Sequence, residues 1–270
     1  MKKVKHLLFG FSFLVFSASL FAQETENTGI EEIIVTARQQ AESLQDVPVT
    51  VSVMSEMDLD RYNITSLTDA AKMVPNFRIN PGGSGNGSNI YLRGIGSSSI
   101  SAAFDQSVAI NIDGVVVNRG RFIHNAYLDM SQIEVLKGPQ SLYFGKSATA
   151  GVISIKTNDP TDEFEAEFGV GVETEHETTF FEGVISGPIS DNLLARFAFG
   201  TSETDELREN YSFGNDPMPY GNGTKPYFGE ESTNARLTLL WTPTETLTAK
   251  LKYQYSKYEN DGGGTMYQEE

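Results

Sequence analysis

The chain contains no cysteine, which excludes a disulfide scaffold and any thiol chemistry. It has few histidines, three in 270 residues. His6 lies in the N-terminal apolar segment, and His124 and His176 have no ligand-type spacing, so neither a protein metal site nor a cofactor is indicated. Positive charge is scarce: 20 Lys and Arg face 36 Asp and Glu, a formal net charge of −16. Such acidity argues against a nucleic-acid binder. No stretch reaches 18 consecutive apolar residues, so no transmembrane helix is expected. No pairing of acids, bases and nucleophiles with catalytic spacing stands out, and the chain reads as a non-enzyme.

What is present begins with an export signal. Lys2, Lys3 and Lys5 precede the short apolar run Leu7–Phe16, and Ser17–Ala22 supplies small residues for cleavage. Residues 1–22 are therefore read as a signal peptide. For an exported chain without a membrane helix, three classes stay open: soluble periplasmic, secreted, or a β-barrel. Residues 23–40 form a polar leader ending in the β-prone hexapeptide Glu32-Ile33-Ile34-Val35-Thr36-Ala37.

Beyond the leader the period is two. Val47, Val49, Val51 and Val53 alternate with Pro48, Thr50, Ser52 and Met54, a half-buried strand with Met54 on the polar parity. Ser55 and Ser66, each with an acidic residue three positions on, predict two short capped helices, the second ended by Pro75. The glycine-rich run from Pro81 to Ser88 lacks the flanking strand and helix of a phosphate loop and reads as a surface loop. Asp113-Gly114 between two apolar runs predicts a hairpin turn. A short helical turn is expected over Asn125–Met130, and strands over Ile133–Leu136 and Val152–Ile155.

Residues 161–270 hold the clearest alternation. Phe164, Ala166, Phe168, Val170 and Val172 share one parity, and similar runs follow at residues 180–189, 193–199, 235–241 and 247–255. Tight turns at Ser190–Asn192 and Pro243–Thr246 contrast with the long polar segment Thr204–Glu231, as in outer-membrane barrels. Trp241, Tyr253 and Tyr255 suit an interfacial girdle. Charge divides with the pattern: residues 23–160 hold 10 basic against 15 acidic groups, residues 161–270 hold 7 against 21. The boundary is placed near Pro160.

The segment Ile133–Thr157, I-E-V-L-K-G-P-Q-S-L-Y-F-G-K-S-A-T-A-G-V-I-S-I-K-T, resembles the closing motif of the plug domain in TonB-dependent outer-membrane receptors. Val74-Pro75-Asn76-Phe77, Ile90–Gly96 with Arg93-Gly94, and Val108–Val117 with Asp113-Gly114 are similar to three further plug elements, although Asn111 stands where the family usually has an aromatic. The resemblance implies an α+β plug (a small mixed sheet with short helices, residues 41–160) inside an antiparallel transmembrane β-barrel. Only about the first five strands of that barrel are present, in residues 161–270. Five strands cannot close a barrel that holds a plug, which takes about 22, so the sequence is expected to be the N-terminal part of a longer protein.

By the same resemblance, Glu32–Ala37 is a TonB box, and Arg93, Gly94, Asp113, Gly114, Gly138, Pro139, Gly145 and Gly151 form the structural plug motif, with Arg93 an internal charge partner. The outward loops Pro81–Asn89, Ser97–Asp105 and Asn118–Asn125 are candidate ligand contacts, above all Arg119, Arg121, His124 and Asn125. The implied activity is TonB-driven import of a scarce extracellular ligand, an iron–siderophore-like complex or an oligosaccharide, with a passive porin as the alternative. The implied partners are TonB, outer-membrane lipid and the ligand, and the barrel is expected to be monomeric.

Overall fold

The computed structural model describes residues 33–36, 40, 42–64, 66–80, 88–97, 105–117, 128–174, 177–204 and 229–260. The expected signal peptide, Glu32, Ala37, most of the glycine-rich loop and Arg119, Arg121, His124 and Asn125 lie outside the described residues.

The chain opens with a small two-stranded ladder, β1 (Ile34–Val35) with β2 (Glu42–Ser43). β3 (Thr50–Ser55) follows and is shorter than the valine alternation predicts. Met54 is buried, not on a polar face, because β3 is covered on both sides. Ser55 then caps α1 (Glu56–Arg61), accepting from the Asp58 N–H while the Asp58 carboxylate accepts from the Ser55 N–H at 3.0 Å. Ser66 caps α2 (Leu67–Met73), and Val74, held extended by the following Pro75, ends it. β4 (Phe77–Asn80), β5 (Asn89–Leu92) and β6 (Ile95–Ser97) form an antiparallel three-stranded sheet.

β7 (Val108–Ile112) and β8 (Val115–Val117) close around Asp113-Gly114, both at positive φ, as a two-residue hairpin of this kind demands. β9 (Met130–Lys137) starts where a helical turn was expected: Met130 is already a ladder residue. α3 (Ser141–Phe144) and β10 (Gly151–Thr157) complete the motif. The plug sheet has the order β3-β9-β10-β7-β8, with β10 and β7 parallel and the other pairs antiparallel.

Both faces of this sheet are covered. On one, Met54, Ile110, Ile133, Val135, Ile153 and Ile155 pack against Leu59, Leu67, Ala70, Phe77, Ile90 and Leu92 from the helices and the three-stranded sheet. On the other, Ala109, Leu136 and Val152 pack with Val35, Val47, Phe144 and Ala148. Each fully buried Ile or Leu contributes roughly 1.5–3 kcal/mol, so these layers are the main source of plug stability.

A five-stranded antiparallel meander follows: β11 (Glu165–Glu173), β12 (Thr178–Ser190), β13 (Leu193–Thr204), β14 (Glu230–Thr244) and β15 (Leu247–Asn260). One parity is apolar and open, including Phe168, Val170, Phe181, Phe197, Leu237, Trp241, Leu251 and Tyr253. The other carries Ser186, Arg196, Ala198, Arg236 and Thr238, buried against the plug. This is the wall of a barrel, lipid-facing outside and polar inside.

Candidate functional site: the docked N-terminal strand and the plug–wall anchors

The N-terminal hexapeptide is placed by the plug's second face. Val35 is fully buried in the apolar cluster there, while Ile33 and Ile34 are exposed. The ladder that holds the strand is minimal: Ile34 opposes Ser43, Val35 opposes Glu42, and the Leu44 N–H donates to the Ile33 carbonyl at 2.9 Å.

The remaining grip comes from two side chains of β9. Glu134 Oε1 accepts from the Thr36 N–H at 2.8 Å and from its hydroxyl at 3.0 Å. Gln132 Nε2 donates to the Ile34 carbonyl at 3.1 Å and to Glu134 Oε1 at 3.2 Å. Glu134 is 1% exposed, and its other oxygen has no protein partner among the described residues. Burial raises its pKa above the usual carboxylate range, against the opposing pull of the Thr36 hydrogen bonds and the Lys156 charge. Glu134 also stands in register with Ser154 on β10, and Ser154 with Asn111 on β7. Asn111 Nδ2 donates to Ser154 Oγ at 3.1 Å, so a polar row continues across this sheet face beside the apolar cluster.

Elsewhere the plug is tied to the barrel wall. Arg196 of β13 forks onto Asp129, with Nη2 at 2.6 Å from Oδ1 and Nε at 2.9 Å from Oδ2, and both side chains are nearly buried. Arg236 of β14 donates to the Leu128 carbonyl at 2.7 Å. On β15, Lys252 donates to Thr157 Oγ1 at 2.7 Å and lies 3.2 Å from Asp113 and 3.3 Å from Asp159, while Lys250 pairs with Asp159 at 2.5 Å. Burial alone raises Asp159, but these two lysines overcome it and hold the carboxyl below its usual range. Asp113 in turn accepts from the Thr157 N–H and hydroxyl at 3.0 and 2.6 Å. A half-open cleft of about 830 Å³ lies between plug and wall, bordered by Thr36, Asn111, Asp113, Lys156, Arg236 and Lys252.

The motif residues have identifiable local roles. Arg93-Gly94 forms a second two-residue turn at positive φ, between β5 and β6, and Arg93 is exposed there. The charge felt by its neighbourhood is a like one, since burial and the Arg93 charge together lower the Lys137 pKa. Gly138 and Gly145 hold positive φ on either side of α3, with Pro139 inside that loop. At Gly151 the backbone of β9 comes so close that a Cβ would lie 2.3 Å from the Leu136 carbonyl oxygen.

Sequence reasoning did not single out Glu134, Gln132, Asp129, Arg196, Arg236 or Lys252. For Glu134 a signal existed, a lone carboxylate inside the apolar run I-E-V-L. The wall cations carried no signal beyond their lumen parity.

A two-faced plug tied by one buried ion pair and several partly exposed ones to a lipid-facing antiparallel wall defines a plugged outer-membrane barrel. Residues 43–152 match the family model described as the TonB-dependent receptor plug domain. The chain is 30% identical over 215 residues to the iron-regulated outer membrane virulence protein of Vibrio cholerae, covering 74% of this chain and 32% of the relative. It is also 30% identical over 201 residues to the vitamin B12 transporter BtuB of Vibrio vulnificus, covering 71% and 30%. Among solved structures, the ferric yersiniabactin uptake receptor FyuA from Yersinia pestis aligns with a TM-score of 0.63 at 22% identity, over 78% of this chain and 31% of that one. The chain belongs to the TonB-dependent receptors, of which it carries the plug and the first barrel strands. It spans about a third of the length of the curated relatives it matches.

Proposed function

We propose that the receptor containing this chain resides in the outer membrane and imports a scarce extracellular ligand, drawing energy from TonB through the segment Glu32–Ala37. The observation that carries this reading is the docking of Ile33–Thr36: one buried valine, a two-pair ladder and a few side-chain hydrogen bonds. A β-prone strand held so sparingly suits addition to a partner's sheet edge, where main-chain hydrogen bonds give grip with little side-chain demand. The wall anchors fall at Leu128, Asp129, Thr157 and Asp159, and they keep the plug seated while its N-terminus is handled.

For the ligand, an iron–siderophore-like complex is the favoured class. Relatives named for iron regulation and ferric uptake support it, and a corrinoid or an oligosaccharide is the competing class. No catalytic step is assigned. The site expectations at Arg119, Arg121, His124 and Asn125 stay part of this proposal as ligand contacts of an outward loop.

The test is Ile34→Pro in the complete receptor. Proline removes the Ile34 N–H, a donor on the edge that a partner strand would pair with. Uptake of a panel of ⁵⁵Fe-loaded siderophores should fall to background, while surface binding of the same complexes and membrane insertion stay at wild-type levels. Normal uptake by this variant removes energy coupling through the segment and leaves the passive porin.

A further inference from the structure

The two edges of the N-terminal strand are occupied differently. In an extended chain, alternate residues turn their N–H and C=O to opposite sides. Residues 33 and 35 face β2, as the Leu44 bond to the Ile33 carbonyl and the pairing of Val35 with Glu42 require. Residues 34 and 36 therefore present the other edge, the one a further strand would use. That edge is already taken: the Ile34 carbonyl by the Gln132 amide, the Thr36 N–H by the Glu134 carboxylate.

We infer that Gln132 and Glu134 form an internal clasp that stands in for a partner strand, one donor and one acceptor on β9 closing the edge of Ile34–Thr36 until the strand is released. The inference rests on the strand-addition reading above. Several observations converge on it. Both residues sit on the same face of β9, two positions apart, which sets donor and acceptor side by side, and their own 3.2 Å contact fixes the pair. Glu134 is a buried carboxylate with an oxygen that no described residue satisfies, a costly arrangement for a purely structural position. The floor beneath continues as Ser154 and Asn111, whose Oδ1 likewise has no partner among the described residues. When the strand leaves, it uncovers groups that water can satisfy, so release from this part of the sheet is a polar event. Among the described residues of the strand, Val35 is the fully buried apolar side chain that must be withdrawn.

The chain has no cysteine, which makes a thiol reporter clean within it. A nitroxide on Ile33→Cys, at an exposed side chain, reads strand mobility by electron paramagnetic resonance in the complete receptor in outer-membrane vesicles. Affinity for the purified periplasmic domain of TonB is measured on the same samples. Glu134→Gln combined with Gln132→Ala should raise the mobile fraction about tenfold, the scale of one lost charge-assisted hydrogen bond. The apparent Kd for the TonB domain should fall by the same factor, since the competent population rises. Thr36→Val, on the strand and outside the plug core, removes only the hydroxyl contact; it should give a smaller shift in the same direction, about threefold, and guards against misfolding of the β9 variants. If the TonB domain binds wild type while mobility and affinity stay unchanged in all variants, the clasp is wrong and the coupling reading stands. If the domain binds neither wild type nor variants with a mobile label, the coupling reading fails and takes the clasp with it.

Discussion

The plug sheet and the barrel wall each have five strands, and each is built on a side-chain period of two, yet they hide opposite things. In β10 six of seven residues are buried, because helices and a second sheet cover one face, and the docked N-terminal strand with Val47, Phe144 and Ala148 covers the other. In β11 no residue is buried: Phe168, Val170 and Val172 stand in the open on the lipid side. Apart from Gly183 and Gly187, the residues that the wall buries are Ser186, Arg196, Ala198, Arg236 and Thr238, all on the polar parity. The same alternation therefore reports the surrounding solvent and not the depth of a core. Apolar residues lie between layers in the plug and against hydrocarbon in the wall, and four wall cations, Arg196, Arg236, Lys250 and Lys252, reach the plug.

The comparison breaks most sharply at the buried pair Arg196–Asp129, which joins the two regions. Removing Arg196 leaves the Asp129 carboxylate, with only 4% of its side chain exposed, facing the wall without its main counter-ion. Arg196→Ala should cost about 3–5 kcal/mol in plug seating. Asn158, which donates to Asp129 at 3.1 Å, softens the loss toward the lower end. Guanidinium titration of the complete receptor, followed by trypsin cleavage of the plug, reads it as a lowered midpoint with barrel insertion intact. The double change Arg196→Met with Asp129→Asn should recover most of the loss, since no charge is left uncompensated. Equal damage from single and double changes would mean that the two residues serve shape and not charge.

Much of this architecture was legible because it is local. The serine caps of both helices, the Asp113-Gly114 turn, the strands of the closing motif and all five wall strands are written within a few residues of each other. The errors are instructive. Thr50 and Ser52 put Met54 on a polar parity in the sequence, but β3 is covered on both sides and Met54 is buried in the core at the strand's end. Met130 was assigned to a helical turn; it begins β9 because its partner is Thr157, 27 residues away. Helix α3 went unread, since four residues carry no period. The clasp and anchors were invisible for the same reason: Glu134 meets Thr36 across 98 positions and Arg196 meets Asp129 across 67, and no single-sequence pattern encodes such meetings.

Glycine separates the two regions next. Gly151 opens β10 at a φ of +156°, and a Cβ there would sit 2.3 Å from the Leu136 carbonyl oxygen and 2.6 Å from Leu92 Cδ1. The first is backbone of the adjacent strand and cannot move without parting the β9–β10 ladder. Gly151→Ala should cost about 2–3 kcal/mol, combining backbone strain with a forced shift in a packed sheet. The same guanidinium titration measures it. A loss below about 0.5 kcal/mol would show that the plug layers are far more compliant than their burial implies.

Gly183 is the counterpart in the wall. A Cβ there would meet Phe168 Cδ1 and Phe199 Cε1, each at 2.7 Å, contacts as close as many that forbid substitution in a core. What lies at those distances differs, however. Both are ring edges in a loose outward cluster, with Phe168 62% exposed and centroids 5.3–6.4 Å apart among Phe168, Phe181, Phe197 and Phe199. Rings bordered by lipid on one side can turn aside, whereas the Leu136 carbonyl cannot. Gly183→Ala should therefore cost about 1 kcal/mol or less, read as a small shift in the temperature at which the receptor loses its heat-modifiable gel mobility. If it instead matches Gly151→Ala, the outer phenylalanine cluster is packed as rigidly as the plug interior, and the contrast between a yielding wall surface and an unyielding plug sheet is wrong.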